Sequence, residues 1–125
     1  MTQKEELLRK FNEAFVNNDT DFILENVTDN IIWRIAGETT IEGKKDVKEA
    51  VQSMKSGLHE KLTLSTIITH GLNAAVNGTI DLVEEDGKRK TYEFCDIYKF
   101  HKFKDGKIKE LISYTVEKKN GGERT

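Results

Sequence analysis

Proline is absent from all 125 residues, and cysteine occurs once, at Cys95. A single cysteine excludes an intramolecular disulfide and a thiolate metal cluster, and a reducing cytoplasm is the expected setting. With neither proline nor a low-complexity stretch, linker or repeat to divide it, the chain is expected to be one domain over 1–125, with its core in 3–117 and a frayed tail at 118–125. Long hydrophobic runs are also missing. The longest fall far short of the ~20 apolar residues a spanning helix needs, so no membrane partner is expected. The start, "MTQKEELLRKF", has early acidic residues and no apolar signal core. The formal net charge is only −2, which leaves no electrostatic footprint for nucleic acid. The three histidines, His59, His70 and His101, lack a helical ligand spacing, so no metal is expected. No nucleotide or flavin motif appears, and no cofactor is expected.

What is present is periodic. Leu7, Leu8, Phe11, Ala14 and Phe15 recur at the 3,4 spacing of an amphipathic helix over residues 3–17. "NNDTD" interrupts it, and Asp19 or Thr20 can cap a second helix that buries Phe22, Ile23 and Val27. "DNIIWRIAG" and "ETTIEG" predict two strands. Gly43 then opens a third helix with Val47, Ala50, Val51 and Met54 in one stripe and Gly57 as its C-cap. Beyond Leu58 the period changes to two. "KLTLSTIITHG", "NAAVNGTIDLVEE", "TYEFCDIYKFHKF" and "KIKELISYTVE" predict four strands, with Asp-Gly pairs in "EDGKRK" and "KDGK" signalling hairpins. The order α-α-β-β-α-β-β-β-β is an α+β layout with a mostly antiparallel sheet.

One strand carries a chemical oddity. In "TYEFCDIYKFHKF" alternate side chains share a face, which sets Tyr92, Phe94, Asp96, Tyr98 and Phe100 in one row. A carboxylate among aromatic rings is costly unless it is paired, protonated or used. Asp96 is therefore either a pocket acid or a structural carboxylate, salt-bridged at the sheet's rim or facing water after a register slip. Cys95, on the other row beside Ile97, reads as small core filler.

The stretches "NNDTDFILENVTDNIIWRIAG", "IEGKKDVKEAV" and "CDIYKFHKFKDGKIKELISY" resemble the nuclear-transport-factor-2-like superfamily, and within it the SnoaL-like branch named for a polyketide cyclase and similar to ketosteroid isomerases. The resemblance spans 3–117. It implies a cone, in which a strongly bent sheet wraps around the N-terminal helices and leaves a mostly apolar pocket at the open end. The implied partners are a small apolar or cyclic organic ligand and a second copy of the chain docked through the sheet. Fold alone does not choose among the isomerases, cyclases, dehydratases, epoxide hydrolases and inert binders of such a superfamily. "DIYKF" resembles the isomerase stretch whose aspartic acid donates to the substrate oxyanion, which would give Asp96 that place. The isomerases' other groups have no counterpart. "IIWRIAG" offers no carboxylate for proton shuttling, and the helix-one segment from Phe11 to Phe15 offers no hydroxyl, so a ketosteroid isomerase mechanism is not expected.

The expected site thus has Asp96 as catalytic acid or base, with Trp33, Tyr98, Phe94, Phe15, Tyr114 and Arg34 as candidate ligand contacts. Each has a plainer role available. Trp33, Phe15 and Phe94 are also natural core residues, Tyr98 and Tyr114 could be rim tyrosines with their hydroxyls in water, and His70 could be a base near the cavity or simply exposed. Arg34 alternates with Trp33, so one faces the cavity and the other does not; an Arg34–Asp96 pair would keep Asp96 ionised. The lysines of the last hairpin, from Lys99 to Lys109, read as a solvated guard against edge pairing rather than an anion site. Three functions remain open: a cofactor-free acid–base cyclase, isomerase or dehydratase; a non-catalytic small-ligand binder; or a dimerisation module.

Overall fold

A computed structural model describes residues 2–54, 60–84 and 86–119. The elements run α1 (Gln3–Val16), α2 (Thr20–Glu25), β1 (Val27–Ile35), β2 (Thr39–Glu42), α3 (Lys44–Ser53), β3 (Glu60–His70), β4 (Asn73–Val83), β5 (Arg89–Phe100) and β6 (Ile108–Glu117). This is the α+β order expected from the periodicity.

Local chemistry sets the helix ends. Thr2 Oγ1 accepts from the Glu5 N–H at 3.1 Å while the Thr2 N–H donates to the Glu5 carboxylate at 2.9 Å, a capping box that starts α1. Asp19 caps α2 by accepting from the Phe22 N–H at 3.2 Å. Leu8, Phe11 and Ala14 of α1 are buried, as are Ile23 of α2 and Val47 and Val51 of α3. All three helices present one apolar stripe and stay wet elsewhere.

The strands form one curved, unclosed six-stranded sheet in the order β2-β1-β6-β5-β4-β3. Every pairing is antiparallel except β1 with β6. α1 packs toward β3, and α3 toward β1 and β2, so the helices line the face on which Trp33, Val76, Phe94, Tyr98 and Leu111 are buried. Curvature is helped by a register shift in β3 between Leu64 and Thr66, opposite Gly78 of β4. A side chain on Gly78 would overlap the Thr63 carbonyl, so the two backbones meet more closely there than any other residue allows.

Four expectations need adjustment or fall outside the described residues. Val27 belongs to β1, not to α2, because the chain leaves the helix at Asn26. The Asp-Gly pair at 105–106 is not a two-residue hairpin turn. β5 ends at Phe100 and β6 begins at Ile108, and the intervening loop is closed by the His101 N–H donating to the Lys107 carbonyl and the Lys107 N–H donating to His101 Nδ1, each at 2.9 Å. The ladder also shifts register between Lys99 and Phe100, which brings Ile108 into the core although simple alternation would set it with outward-facing Ile112 and Tyr114. Gly57 as C-cap lies outside the described residues, as does most of the tail.

Candidate functional site

β5 is flanked by β4 and β6, so Asp96 sits near the middle of the sheet, opposite Val76 on one side and Ser113 on the other. Along its own strand the same-face neighbours are Phe94 and Tyr98, both buried. The carboxyl borders a pocket of about 330 Å³ whose walls include Phe15, Trp33, Leu62, Ile80, Phe94 and Leu111. Lack of water around it favours the neutral form, and burial pushes its pKa up from 3.8 to about 7, against the opposing pull of hydrogen bonds from Ser113 and then Tyr98.

Those two hydroxyls are themselves held. Trp33 Nε1–H donates to Ser113 Oγ at 3.0 Å. Asn12 Nδ2–H donates to the Tyr98 hydroxyl at 3.0 Å and to the Leu8 carbonyl at 2.8 Å. The Tyr98 hydroxyl in turn makes a long 3.4 Å contact with Asp96 Oδ2, weaker than an ordinary O–H···O bond. Tyr98 is fully enclosed, and burial first, then the Asp96 charge, holds its phenol well above the usual value. Tyr98, Phe11, Phe15 and Trp33 follow one another in edge-to-face contacts with centroids 5.4 to 6.0 Å apart. α1 therefore braces Tyr98 on β5 and Trp33 on β1, the donor to Ser113, at once.

Of the residues expected at the site, Asp96, Phe15, Trp33 and Phe94 border the pocket, and Tyr98 lies behind Asp96 as its hydrogen-bond partner. Arg34 and Tyr114 are not brought there. Both are exposed on the opposite face, where Arg34 Nη2 contacts the Tyr114 hydroxyl at 3.4 Å. Strand alternation decides this: Trp33 and Ser113 point inward, so their successors point out. No Arg34–Asp96 pair forms, and the carboxyl has no cationic partner among the described residues of the wall. His70, at the end of β3, is exposed and borders none of it. Asn12 and Ser113 were missed by sequence reasoning. Each left a signal: Asn12 interrupts the apolar stripe between Leu8 and Phe15, and Ser113 shares the alternating row of buried Leu111.

A larger groove of about 730 Å³ passes Lys4, Phe100 and Phe103. Of the three lysines along it, Lys4 is already engaged, since its Nζ donates to the Gly71 carbonyl at 2.8 Å and sits 4.8 and 4.9 Å from the two ring centroids. The smaller pocket is the one that Asp96, Asn12 and Ser113 border. Among the described residues, no group of three or more His, Cys, Asp or Glu is placed to hold a metal, and no helix is long and apolar enough to cross a membrane.

Residues 8–111 match the family of SnoaL-like domains. The chain belongs to the SnoaL-like family. Solved structures agree on the fold. An NTF2-like protein of unknown function from Cytophaga hutchinsonii is 25% identical, with a TM-score of 0.72 over 90% of this chain and 98% of that one. An LEH-like epoxide hydrolase of M. tuberculosis is 18% identical, with a TM-score of 0.75 over 90% and 81%. A SnoaL-like polyketide cyclase from Shewanella denitrificans, so described provisionally, is 13% identical, with a TM-score of 0.79 over 93% and 92%. At these identities the last two carry the fold alone. Comparison with curated protein sequences gives no match. This SnoaL-like chain thus shares its frame with epoxide hydrolase-like and cyclase-like enzymes, and its own pocket is bordered by Asp96 and Ser113.

Proposed function

We propose that this SnoaL-like protein binds a small, uncharged, largely apolar organic molecule in the pocket between α1 and the sheet, and carries out cofactor-free proton transfer on it with Asp96. The observation that carries this reading is a carboxyl on an apolar wall with a pKa of about 7 and, among the described residues, no cation beside it. An acid near the working pH is populated in both protonation states, which is the condition for general acid or base catalysis. Cyclisation, isomerisation and dehydration each need such a transfer, and Trp33, Phe15 and Phe94 would supply the apolar contacts. A pocket of about 330 Å³ suits a ligand of drug-fragment size or a little larger.

Base-promoted ring opening of 5-nitrobenzisoxazole tests the reading without knowledge of the natural substrate. The base removes the ring C–H proton as the N–O bond breaks, giving a coloured cyanophenolate. The wild type is expected to exceed Asp96→Asn by about 100-fold, the lower range for a positioned general base, with a rate rising through a midpoint near pH 7. Equal rates would end the catalytic reading and leave ligand binding.

A second reading concerns assembly. On the outer face Ile68, Ala75, Ile97 and Ile112 follow one another across β3, β4, β5 and β6. Ile68 is 59% exposed, Tyr114 43% and Val116 68%. Contiguous apolar surface of this kind marks an interaction site, and a second copy of the chain, docked sheet to sheet, is the occupant the family resemblance supplies. A reducing cytoplasm remains the setting suggested by a lone cysteine.

A further inference from the structure

We infer that Asp96 is held by two proton-directing arms, Trp33 to Ser113 and Asn12 to Tyr98, which aim both hydroxyl hydrogens at its carboxyl and leave the carboxyl's own proton facing the pocket. Asp96 would then donate to an acceptor atom of the ligand. This deepens the proposed function and rests on Asp96 being its acid–base group.

The direction follows from what each partner can do. An indole N–H is a donor only, as is an amide NH₂. Ser113 Oγ accepts from Trp33 at 3.0 Å, and the Tyr98 hydroxyl accepts from Asn12 at 3.0 Å. Each oxygen has one hydrogen of its own left, and Asp96 faces both residues: Ser113 is opposite it in the ladder, and the Tyr98 hydroxyl, two residues along the strand, is 3.4 Å from its Oδ2. Accepting an N–H also polarises an O–H and strengthens its donation. The two arms therefore occupy carboxyl lone pairs from the strand side. When Asp96 is protonated its hydrogen has only the pocket to point into, and when it ionises the vacated lone pair faces the same way. Among the described residues, the other titratable groups near the carboxyl are Tyr98 itself, Cys95 on the opposite face of β5, and Tyr92 on the pocket wall. β1, β4, β6 and α1 contribute no charged side chain to the described wall. The Asp96 titration thus reports mainly on burial and on the two arms.

Trp33, Ser113, Tyr98 and Asn12 are positioning residues in this scheme. Their test is the Asp96 carboxyl-carbon NMR titration, which needs no substrate. Ser113→Ala is expected to raise the midpoint by about 1 pH unit, the size of one hydrogen bond lost from a charged group. Trp33→Phe, which keeps an aromatic ring but loses the donor, should raise it less, and should add nothing in the Ser113→Ala background because it acts through that hydroxyl. Asn12→Ala should behave in the same way toward Tyr98→Phe. Ser113→Thr restores a hydroxyl and should restore the wild-type midpoint, which separates the lost hydrogen bond from a general packing defect. Additive shifts in either pair, or no rise in Ser113→Ala, would overturn the arms. Turnover of the benzisoxazole that still depended on Asp96 would then leave the proposed function standing. The expected shifts without any turnover would do the reverse.

Discussion

The two faces of the β5–β6 ladder are built from adjacent residues and yet have opposite chemistry. Inward, Phe94, Asp96 and Tyr98 meet Thr115, Ser113 and Leu111; outward, Glu93, Cys95, Ile97 and Lys99 meet Val116, Tyr114, Ile112 and Glu110. The inner face is more enclosed and carries the charge that burial disfavours. The outer face is wetter and carries apolar side chains that water disfavours. The contrast teaches that neither face is optimised for the stability of an isolated chain. The inner face retains an acid where a hydrophobe would pack better, and the outer face shows isoleucine, valine and tyrosine where lysine or threonine would be free of strain. Departures of this kind are where function is expected to sit.

The contrast can be broken from the inside first. Phe11 is buried against Phe15 and Tyr98, so Phe11→Ala should destabilise by about 3–5 kcal/mol, the range for deleting a buried aromatic ring. Val116→Ala, two-thirds exposed on the other face, should change chain stability by no more than about 0.5 kcal/mol. Urea unfolding of both at low protein concentration checks the pair, and comparable losses would mean the outer face is not what it looks like.

Asp96→Asn is expected to act in the opposite direction. The folded chain holds a proton up to about pH 7 that the unfolded chain releases near 3.8. Raising the pH through that interval therefore weakens the fold, and the loss is complete above about pH 7. About 3 pH units at 1.36 kcal/mol each set a ceiling of about 4 kcal/mol. The asparagine variant should lack this slope, gaining stability at pH 8 to 9 and showing no gain at pH 3.5. Parallel stability curves for the two proteins would show that Asp96 is as well solvated in the fold as out of it.

The smallest effect on chain stability, and the sharpest on assembly, should come from charging the outer face. Ile68→Lys with Val116→Lys should leave the unfolding midpoint of the dilute protein nearly unchanged while shifting sedimentation from dimer to monomer. A wild type that sediments as a monomer at high concentration would remove the sheet-to-sheet dimer.

Much of the frame was legible because it depends on local periodicity. The 3,4 spacing of Leu8, Phe11 and Ala14 marked α1, and the alternation around Asp96 identified the row it shares with Phe94 and Tyr98. The loop between β5 and β6 was not legible. "KDGK" carries a hairpin signal, but His101 and Lys107 close a wider loop through a side-chain nitrogen, and the accompanying register shift moved Ile108 to the core. Which of Trp33 and Arg34 faces inward was equally undetermined, since alternation fixes only that they differ.

By itself, then, the sequence determined the order of elements and the placing of an acid within an aromatic row, because both follow from interactions among residues close along the chain. Tertiary structure decided what that acid can do. Asn12, Trp33 and Ser113 reach the Asp96–Tyr98 cluster across as many as 86 residues of chain, and their donor directions exist only once β1, β6 and α1 are packed together. Hydrogen bonding is directional and short-ranged, so no one-dimensional pattern can specify it. The same packing removes the water that would otherwise keep Asp96 an ordinary carboxylate.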